Sequence, residues 1–276
     1  MILVTGATGN VGSELVKQLL DASQPVRVLV RSQQQEVLPV GAEIFNGDLN
    51  EPQTLTIGLK GVRAVFLLGG YHDMSGLLSV IEQAGVEHVV LLTSRSVVQG
   101  NPSNAIVRMW MESEDAVQSA KVPWTILRPS GFMSNVLRWL PQLGSGNIVR
   151  APFFNVPIAA IDPYDIAATA VIALTSNGHL FRSYTLSGPA AILPADQVRI
   201  LAKVLGRDLC FEAQSDREAR EEMSKSWSPD FVDAFFRFFA DGEFDDSLVL
   251  PTVQEMTGRP PRTFQEWARA HVDTFR

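Results

Sequence analysis

Residues 1–12 read MILVTGATGNVG. Ile2, Leu3 and Val4 form a short apolar run of the kind that makes a strand buried on both faces. Thr5 and Gly6 end it. Gly6, Gly9 and Gly12 then fall at a three-residue spacing, and an amphipathic stretch from Val11 to Leu20 follows at once. Strand, glycine turn and helix make the first unit of a dinucleotide-binding fold. In that unit Gly6 permits the tight turn off the strand. Gly9 lets the backbone approach a pyrophosphate, and Gly12 lets the helix pack closely on the strand. The free N–H groups at the helix start, with the positive end of its dipole, then face the phosphates.

The pattern continues outward from this turn. Val26 to Val30 predicts a second strand with Arg31 at its end. An acidic residue there would accept from the 2′-hydroxyl of NAD, whereas arginine pairs with the 2′-phosphate of NADP. No Asp or Glu lies between Asp21 and Glu36, and Ser32 adds a hydroxyl. The expected cofactor is therefore NADP(H) in preference to NAD(H). The plainer alternative for Arg31 is a solvated charge at a strand end.

Further strands are expected at Ala42–Asn46, Val62–Leu68, Val89–Leu92 and Trp124–Leu127. Helices are expected at Pro52–Leu59, Asp73–Ala84 and Asn104–Ala120. This alternation predicts an α/β, doubly wound parallel sheet of the Rossmann type with right-handed crossovers. Leu68 and Gly69, and then Tyr71, His72 and Asp73, leave the carboxyl end of the fourth strand, where ligands of open α/β sheets sit. Thr93 and Ser94 leave the fifth strand. Beyond Ser130 the regularity breaks. A helical stretch at Phe132–Leu140 and a turn at Gly144–Asn147 precede a helix from Asp162 to Leu174, capped by Asp162 with Pro163 in its first turn. Ser183–Leu186 predicts a strand that returns to the main sheet. Helices follow at Ala195–Leu205, Asp216–Ser224, Asp230–Ala240 and Thr263–Val272. The expected organisation is a Rossmann domain from residues 1–130 and 161–186. A small, mostly helical C-terminal substrate lobe takes residues 131–160 and 187–276.

Bulk properties narrow the function classes. No apolar run approaches the roughly 20 residues that span a bilayer. The first residues carry no basic stretch of a secretory leader, and Cys210 is the only cysteine, so a reducing cytoplasmic setting is expected. Residues 1–150 hold 11 basic and 12 acidic side chains, and residues 151–276 hold 12 and 18. That acidic C-terminal half argues against a nucleic-acid partner. His88, His179 and His271 are scattered without metal-ligand spacing, so no metal is expected. No GxSxG elbow supports hydrolysis.

Residues 5–12, TGATGNVG, resemble the TGxxGxxG fingerprint of the extended and atypical short-chain dehydrogenases/reductases, and the NmrA-like branch in particular. LVRS at 29–32, GDL at 47–49, LRPSGFMSN at 127–135 and GRPPRTFQEWA at 258–268 extend the resemblance over nearly the whole chain. It implies an NAD(P)-binding Rossmann domain with a smaller substrate region. Some members are reductases; others bind the dinucleotide without turning it over and act as redox sensors. The resemblance places Asp48 and Leu49 beside the adenine, although Asp48 also suits a turn or cap. It places Ser94 where related enzymes carry an active-site serine. The expected cofactor-contacting set is then Gly6, Thr8, Gly9, Asn10, Val11, Gly12, Arg31, Ser32, Asp48, Leu49, Leu68, Gly69 and Thr93.

One family feature is missing. Short-chain dehydrogenases carry a Tyr-x-x-x-Lys pair on the long fifth helix, where the lysine lowers the tyrosine pKa and the tyrosine passes a proton. Here Tyr71, Tyr164 and Tyr184 are followed four residues later by Ser75, Ala168 and Gly188. Counting back from LRP, the pair positions fall near Ile106 and Trp110, neither of which exchanges a proton at neutral pH. The candidate catalytic residues are then Ser94, His72 and Tyr71, with Tyr71 alternatively stacking on the cofactor. Quinones and conjugated acceptors need no protein acid, since water can protonate them after hydride arrives. Phe231, Phe235, Phe238 and Phe239 repeat at helical spacing, which fits a lobe core or an apolar pocket. Two functions follow: an NADP(H)-dependent reductase of a small apolar quinone or enone, or a non-catalytic dinucleotide sensor with a protein partner.

Overall fold

The computed structural model describes residues 1–31 and 40–275. In chain order β1 (Ile2–Val4), α1 (Asn10–Asp21), β2 (Val26–Val30), β3 (Glu43–Asn46), β4 (Ala64–Leu68), α2 (Met74–Gln83) and β5 (His88–Leu92) build the first half of a sheet. Then come α3 (Ser96–Gln99), α4 (Ala105–Ser119), β6 (Trp124–Pro129), α5 (Leu140–Ser145), β7 (Ile148–Ala151), α6 (Pro163–Thr175) and β8 (Arg182–Leu186). The chain ends with α7 (Pro194–Leu205), β9 (Cys210–Ala213), α8 (Asp216–Met223), α9 (Pro229–Phe239), α10 (Thr252–Thr257) and α11 (Phe264–Ala270).

Among the described residues seven strands form one parallel sheet in the order β3-β2-β1-β4-β5-β6-β8. Val4 lies opposite Val28 on one side and Phe66 on the other. Successive strands progress one way from β1 and then the other from β4, so the order reverses between them. That switch point opens a crevice at the carboxyl ends of the strands. The continuous apolar runs have a simple cause. Alternate side chains enter two cores: Ile2, Val4, Val28, Val30, Phe66 and Val90 face α1 and α6, while Leu3, Leu29, Val65, Leu67, Val89 and Leu91 face α2 and α4. Burial on both faces favours apolar residues at successive positions.

The structure differs from the sequence reading in several places. β7 and β9 pair as a second, parallel sheet that was not anticipated. Each is only four residues long, with Val149 and Ala151 buried and Ile148 and Arg150 exposed, too short a signal for a strand. The expected turn at Gly144–Asn147 is partly helical, since α5 runs to Ser145. Pro52–Leu55 is one 3-10 turn rather than a helix to Leu59. A third core of Trp139, Val149, Val198, Leu201, Phe264 and Trp267 joins α7, α11 and the small sheet. The GRPPRTF segment anchors this region to α6. Arg259 pairs with buried Asp165 at 2.7 Å, the Arg262 N–H donates to the same carboxylate at 2.7 Å, and the Arg262 guanidinium lies 3.5 Å from the Tyr164 ring centre. Tyr164 thus serves packing and cation–π contact. Among the described residues no helix is long and apolar enough to cross a membrane.

Candidate active site

The glycine turn lies at the switch point. Gly6 adopts a φ of 64°, and the Gly9 N–H donates to its carbonyl at 2.9 Å. A Cβ on Gly12 would stand 2.1 Å from the Gly6 oxygen, so the first turn of α1 packs on the strand exit only without a side chain. A Cβ on Gly9 would stand 3.2 Å from the same oxygen, tight but short of collision. Gly9 is instead exposed, with Thr8 and Asn10 beside it at the mouth of the turn. Val11 is buried in the core, so only its backbone N–H can face a ligand. Beneath the turn, the Thr5 hydroxyl donates to the Phe66 carbonyl at 3.0 Å and accepts from the Leu68 N–H at 3.1 Å, tying β1 to β4. The Leu68 side chain covers Gly6, since a Cβ there would meet its Cδ1 at 2.5 Å.

At the ends of β2 and β3, Arg31 is exposed and Leu49 is buried. Ser32 lies outside the described residues. The Asp48 carboxylate accepts from the Asn50 backbone at 2.9 Å and from its side-chain amide at 3.0 Å, the turn geometry that was the plainer alternative. Tyr71 is half-buried. Desolvation raises its pKa, Arg31 draws it down and Asp48 pushes it up, so the three side chains share one neighbourhood. His72 is exposed and lines a cavity of about 470 Å³ with Asp73, Met109, Glu112 and Ser113.

Helix α4 closes on the β4 exit. The Gly70 N–H donates to the Ser113 hydroxyl at 2.9 Å. A Cβ on Gly69 would meet both Trp110 and Ser113 at 3.2 Å. Ile106 is buried against Val107, Ala234 and Phe238 in the α4–α9 seam, and Trp110 packs on that cluster. The two positions where the family's acid pair was expected therefore lie in an apolar seam.

Thr93 and Ser94 end β5. Thr93 is buried, and its hydroxyl donates to Glu114 at 2.8 Å. Glu114 in turn accepts from the Arg128 Nε at 2.9 Å and 3.2 Å. The Ser94 hydroxyl is partly exposed and accepts from the Ser96 N–H at 3.2 Å, which leaves its own proton for a further partner. Sequence reasoning missed the charges behind these residues. Arg95 is buried and reaches Asp246 at 3.3 Å and the Leu248 carbonyl at 3.0 Å. Asp246 also accepts from the Gly131 N–H at 2.8 Å, and burial raises its pKa to about 6. The only local signal was charge inside apolar stretches, such as Arg95 in VVLLTSRSVV. The histidines lie elsewhere. His88 opens β5 and contacts the Thr125 hydroxyl at 2.9 Å, with its pKa lowered by burial to about 4. His179 meets the Tyr184 hydroxyl at 2.8 Å, and His271 stacks on Trp267.

The arrangement fits a dinucleotide. A glycine turn presents a helix start where phosphates would lie, a cation follows β2, and the β4 and β5 exits continue the crevice.

The comparisons agree with this geometry. The NAD(P)H-binding family model matches residues 6–176. The (4-alkanoyl-5-oxo-2,5-dihydrofuran-3-yl)methyl phosphate reductase of Streptomyces griseus subsp. griseus is 40% identical, over 100% of this chain and 99% of its own. The NAD(P)H azoreductase of Xenophilus azovorans is 34% identical, over 100% and 99%. Among solved structures, the NADPH complex of an Escherichia coli NADPH-dependent quinone oxidoreductase superposes with a TM-score of 0.79 at 21% identity, covering 99% of this chain and 100% of that one. On a full-length relationship to such proteins and an intact glycine turn at the switch point, the chain belongs to the NAD(P)H-binding family, within the NmrA-like branch of the atypical short-chain dehydrogenases/reductases.

Proposed function

We propose that the protein is an NADP(H)-dependent reductase of small, mostly apolar acceptors whose double bond is conjugated to a carbonyl, enones foremost and quinones next. The observation that carries this reading is the pairing of an open glycine cradle with Ile106 and Trp110 at the positions of the missing acid pair. A simple ketone needs a proton at oxygen as hydride arrives, and this seam has no group to give one. A conjugated acceptor takes hydride at its β-carbon and holds the charge as an enolate, so water can protonate the α-carbon afterwards. The full-length relative from Streptomyces griseus supports the choice of a conjugated acceptor, since its named substrate is an alkanoyl dihydrofuranone that also carries a methyl phosphate group.

The bound nicotinamide would supply the hydride; the chain supplies binding and orientation. Gly6 to Gly12 hold the pyrophosphate through backbone N–H groups, Val11 among them, with Thr8 and Asn10 at the rim. Arg31 and Ser32 take the 2′-phosphate. Asp48, Leu49 and Tyr71 bound the adenosine, which moves Tyr71 from the catalytic set to the cofactor set. Leu68, Gly69 and Thr93 floor the path to the nicotinamide. Ser94 orients the acceptor by a hydrogen bond from its hydroxyl to the acceptor's oxygen without giving up the proton, and His72 at the rim of its cavity has no step to perform. Residues 1–130 and 161–186 hold the cofactor, and residues 131–160 and 187–276 hold the acceptor. The cytoplasm suits such a reaction.

The test measures NADPH oxidation with a 2-acylbutenolide, a naphthoquinone and an unconjugated ketone. It is paired with calorimetric titration of NADPH, NADP⁺, NADH and NAD⁺. Turnover of the conjugated acceptors alone, with the product heavier by two hydrogens, is the expected result. Arg31→Ala should weaken NADPH binding by at least tenfold, about 1.4 kcal/mol, and leave NADH binding within twofold. Dinucleotide binding without turnover of any acceptor would move the assignment to a redox sensor.

A further inference from the structure

Helix α9 buries its apolar surface in an unusual order. At 100° per residue, Ala234 and Phe238 form one margin of the apolar arc, and Val232 and Phe236 form the other. Ala234 and Phe238 are buried against Ile106 and Val107 of α4. Val232 and Phe236 are buried against Ala219 and Met223 of α8 and against Phe153. Phe235 and Phe239 lie between the margins, and both remain partly open, as does Phe231 at the start of the stripe. A helix that only serves a core buries the middle of its arc first. Here α4 and α8 grip the two sides and leave the middle as the floor of a groove.

That groove is lined with rings. Trp227, 42% exposed, packs against Phe235 at a centroid distance of 4.4 Å with the rings tilted by 50°. Phe235 is 6.0 Å from Phe239, and Phe239 is 5.3 Å from Phe153. Phe153 holds a φ of 55°, a conformation L side chains resist, and its ring meets Phe236 at 5.1 Å. Phe154 beside it is exposed. Trp110, whose ring lies on Gly69 and Gly70 at the β4 exit, packs on the same apolar cluster as Phe231, Phe235 and Phe239. Half-covered aromatic rings thus run from Trp227 through Phe235 and Phe239 to Phe153, and the cluster beneath them also carries Trp110.

We infer that this groove is the subsite for a linear, unbranched acyl arm of the acceptor, with the conjugated head at the Trp110 end and the chain running toward Trp227. The inference rests on the conjugated-acceptor reading above. The occupant follows from shape and chemistry. The rings from Trp227 to Phe153 carry no hydrogen-bonding group other than the Trp227 indole, the stripe is one helix face wide, and the cluster it lies on also carries Trp110 at the β4 exit. A full-length relative is named for an acceptor with an alkanoyl arm.

The test uses 2-alkanoyl-2-butenolides with arms from acetyl to decanoyl and reads kcat/KM with NADPH. Full burial of a methylene is worth about fourfold, and a groove open on one side should give about twofold per methylene. Phe235→Ala and Trp227→Ala should each cut the octanoyl-to-acetyl ratio of kcat/KM by about tenfold. Trp227→Ala removes an exposed ring and keeps the experiment informative if Phe235→Ala fails to fold. A saturated 2-decanoyl lactone, titrated without cofactor, should shift the tryptophan emission in the wild type and not in Trp227→Phe. A ratio that ignores chain length, or one unchanged in both variants, overturns the assignment. So does a dimer in sedimentation that Trp227→Ala converts to monomer, because a second copy would then cover the groove. Emission-detected binding of the saturated lactone with no turnover of any butenolide would overturn the reductase reading and leave the acyl groove standing.

Discussion

Arg95 and Asp246 form a buried ion pair, 3.3 Å from Nη1 to Oδ1, with side chains 3% and 4% exposed. The pair joins the residue after Ser94 to the segment that follows α9. Asp246 also holds the Gly131 N–H, so one carboxylate ties the exits of β5 and β6 together beside the candidate substrate cleft. Removing one partner of such a pair leaves an uncompensated buried charge. Arg95→Ala should therefore destabilise by about 3–5 kcal/mol in urea unfolding at pH 8. The loss should shrink at pH 5, where Asp246, with its pKa raised to about 6, carries a proton. An equal loss at both pH values would show that the carboxylate stays ionised when its partner is gone.

Two buried groups drive stability in opposite directions with pH. Burial raises Asp246 from 3.8 to about 6, so its contribution is fully present below pH 4 and is lost as pH rises through 6. Burial lowers His88 from 6.5 to about 4, so its contribution is present above pH 6.5 and is lost as pH falls through 4. In the wild type the two slopes partly cancel between pH 4 and 6. Asp246→Asn should leave a steeper rise of stability with pH than the wild type, and His88→Gln a shallower one. Each difference should be about 2–3 kcal/mol across the window. Denaturant midpoints at half-unit pH steps read both slopes, and parallel curves for either variant would remove that group from the account.

The glycines of the turn should separate packing from binding. A methyl on Gly12 meets the Gly6 carbonyl at 2.1 Å, so helix or strand must move. Gly12→Ala should lose at least about 2 kcal/mol of stability together with dinucleotide binding. A methyl on Gly9 points to open space apart from one 3.2 Å contact. Gly9→Ala, at the N-cap of α1, should lose less stability than Gly12→Ala, about 1 kcal/mol, and lose NADPH affinity by tenfold or more, read by calorimetry. Unchanged affinity in a folded Gly9→Ala protein would deny the turn its role as a phosphate site.

The strands, the glycine turn and the α-helical crossovers were legible because each rests on a local pattern. Ile2 to Val4 and Val89 to Leu92 are apolar throughout since both faces of the sheet are covered. Asp73, Asn104 and Asp162 cap their helices as their side chains suggest, each accepting from a backbone N–H two or three residues on. What was not legible depends on distant partners. β7 is a strand only because β9 pairs with it some 60 residues later. Tyr71 was legible as a loop residue after β4, catalytic or stacked on the cofactor, but its electrostatic coupling to Arg31 and Asp48 depends on the folded chain. Phe235 belongs to the same helical stripe as the buried rings, and it stays partly open because α4 and α8 cover the two margins of that stripe.

Rebuilding the absent acid pair tests whether proton delivery limits the reaction. Ile106 is 8% exposed and packed on Ala234 and Phe238, while Trp110 rests on Gly69 and Gly70. In Ile106→Tyr with Trp110→Lys, the new hydroxyl would enter the α4–α9 seam, where desolvation holds a phenol protonated and away from solvent. The lysine would put a charge where an indole now fills space. The double variant should lose about 2–4 kcal/mol of stability from overpacking and lost indole contact. It should gain no reduction of unconjugated ketones, and its enone turnover should not exceed the wild-type rate. Stopped-flow NADPH oxidation in H₂O and D₂O reads the outcome. If water protonates an already formed enolate, hydride transfer from NADPH deuterated at C4 is slowed and the solvent isotope effect stays near one in both proteins. A tenfold gain in enone reduction, with a solvent isotope effect that appears only in the double variant, would show instead that the natural site is limited by the acid it lacks.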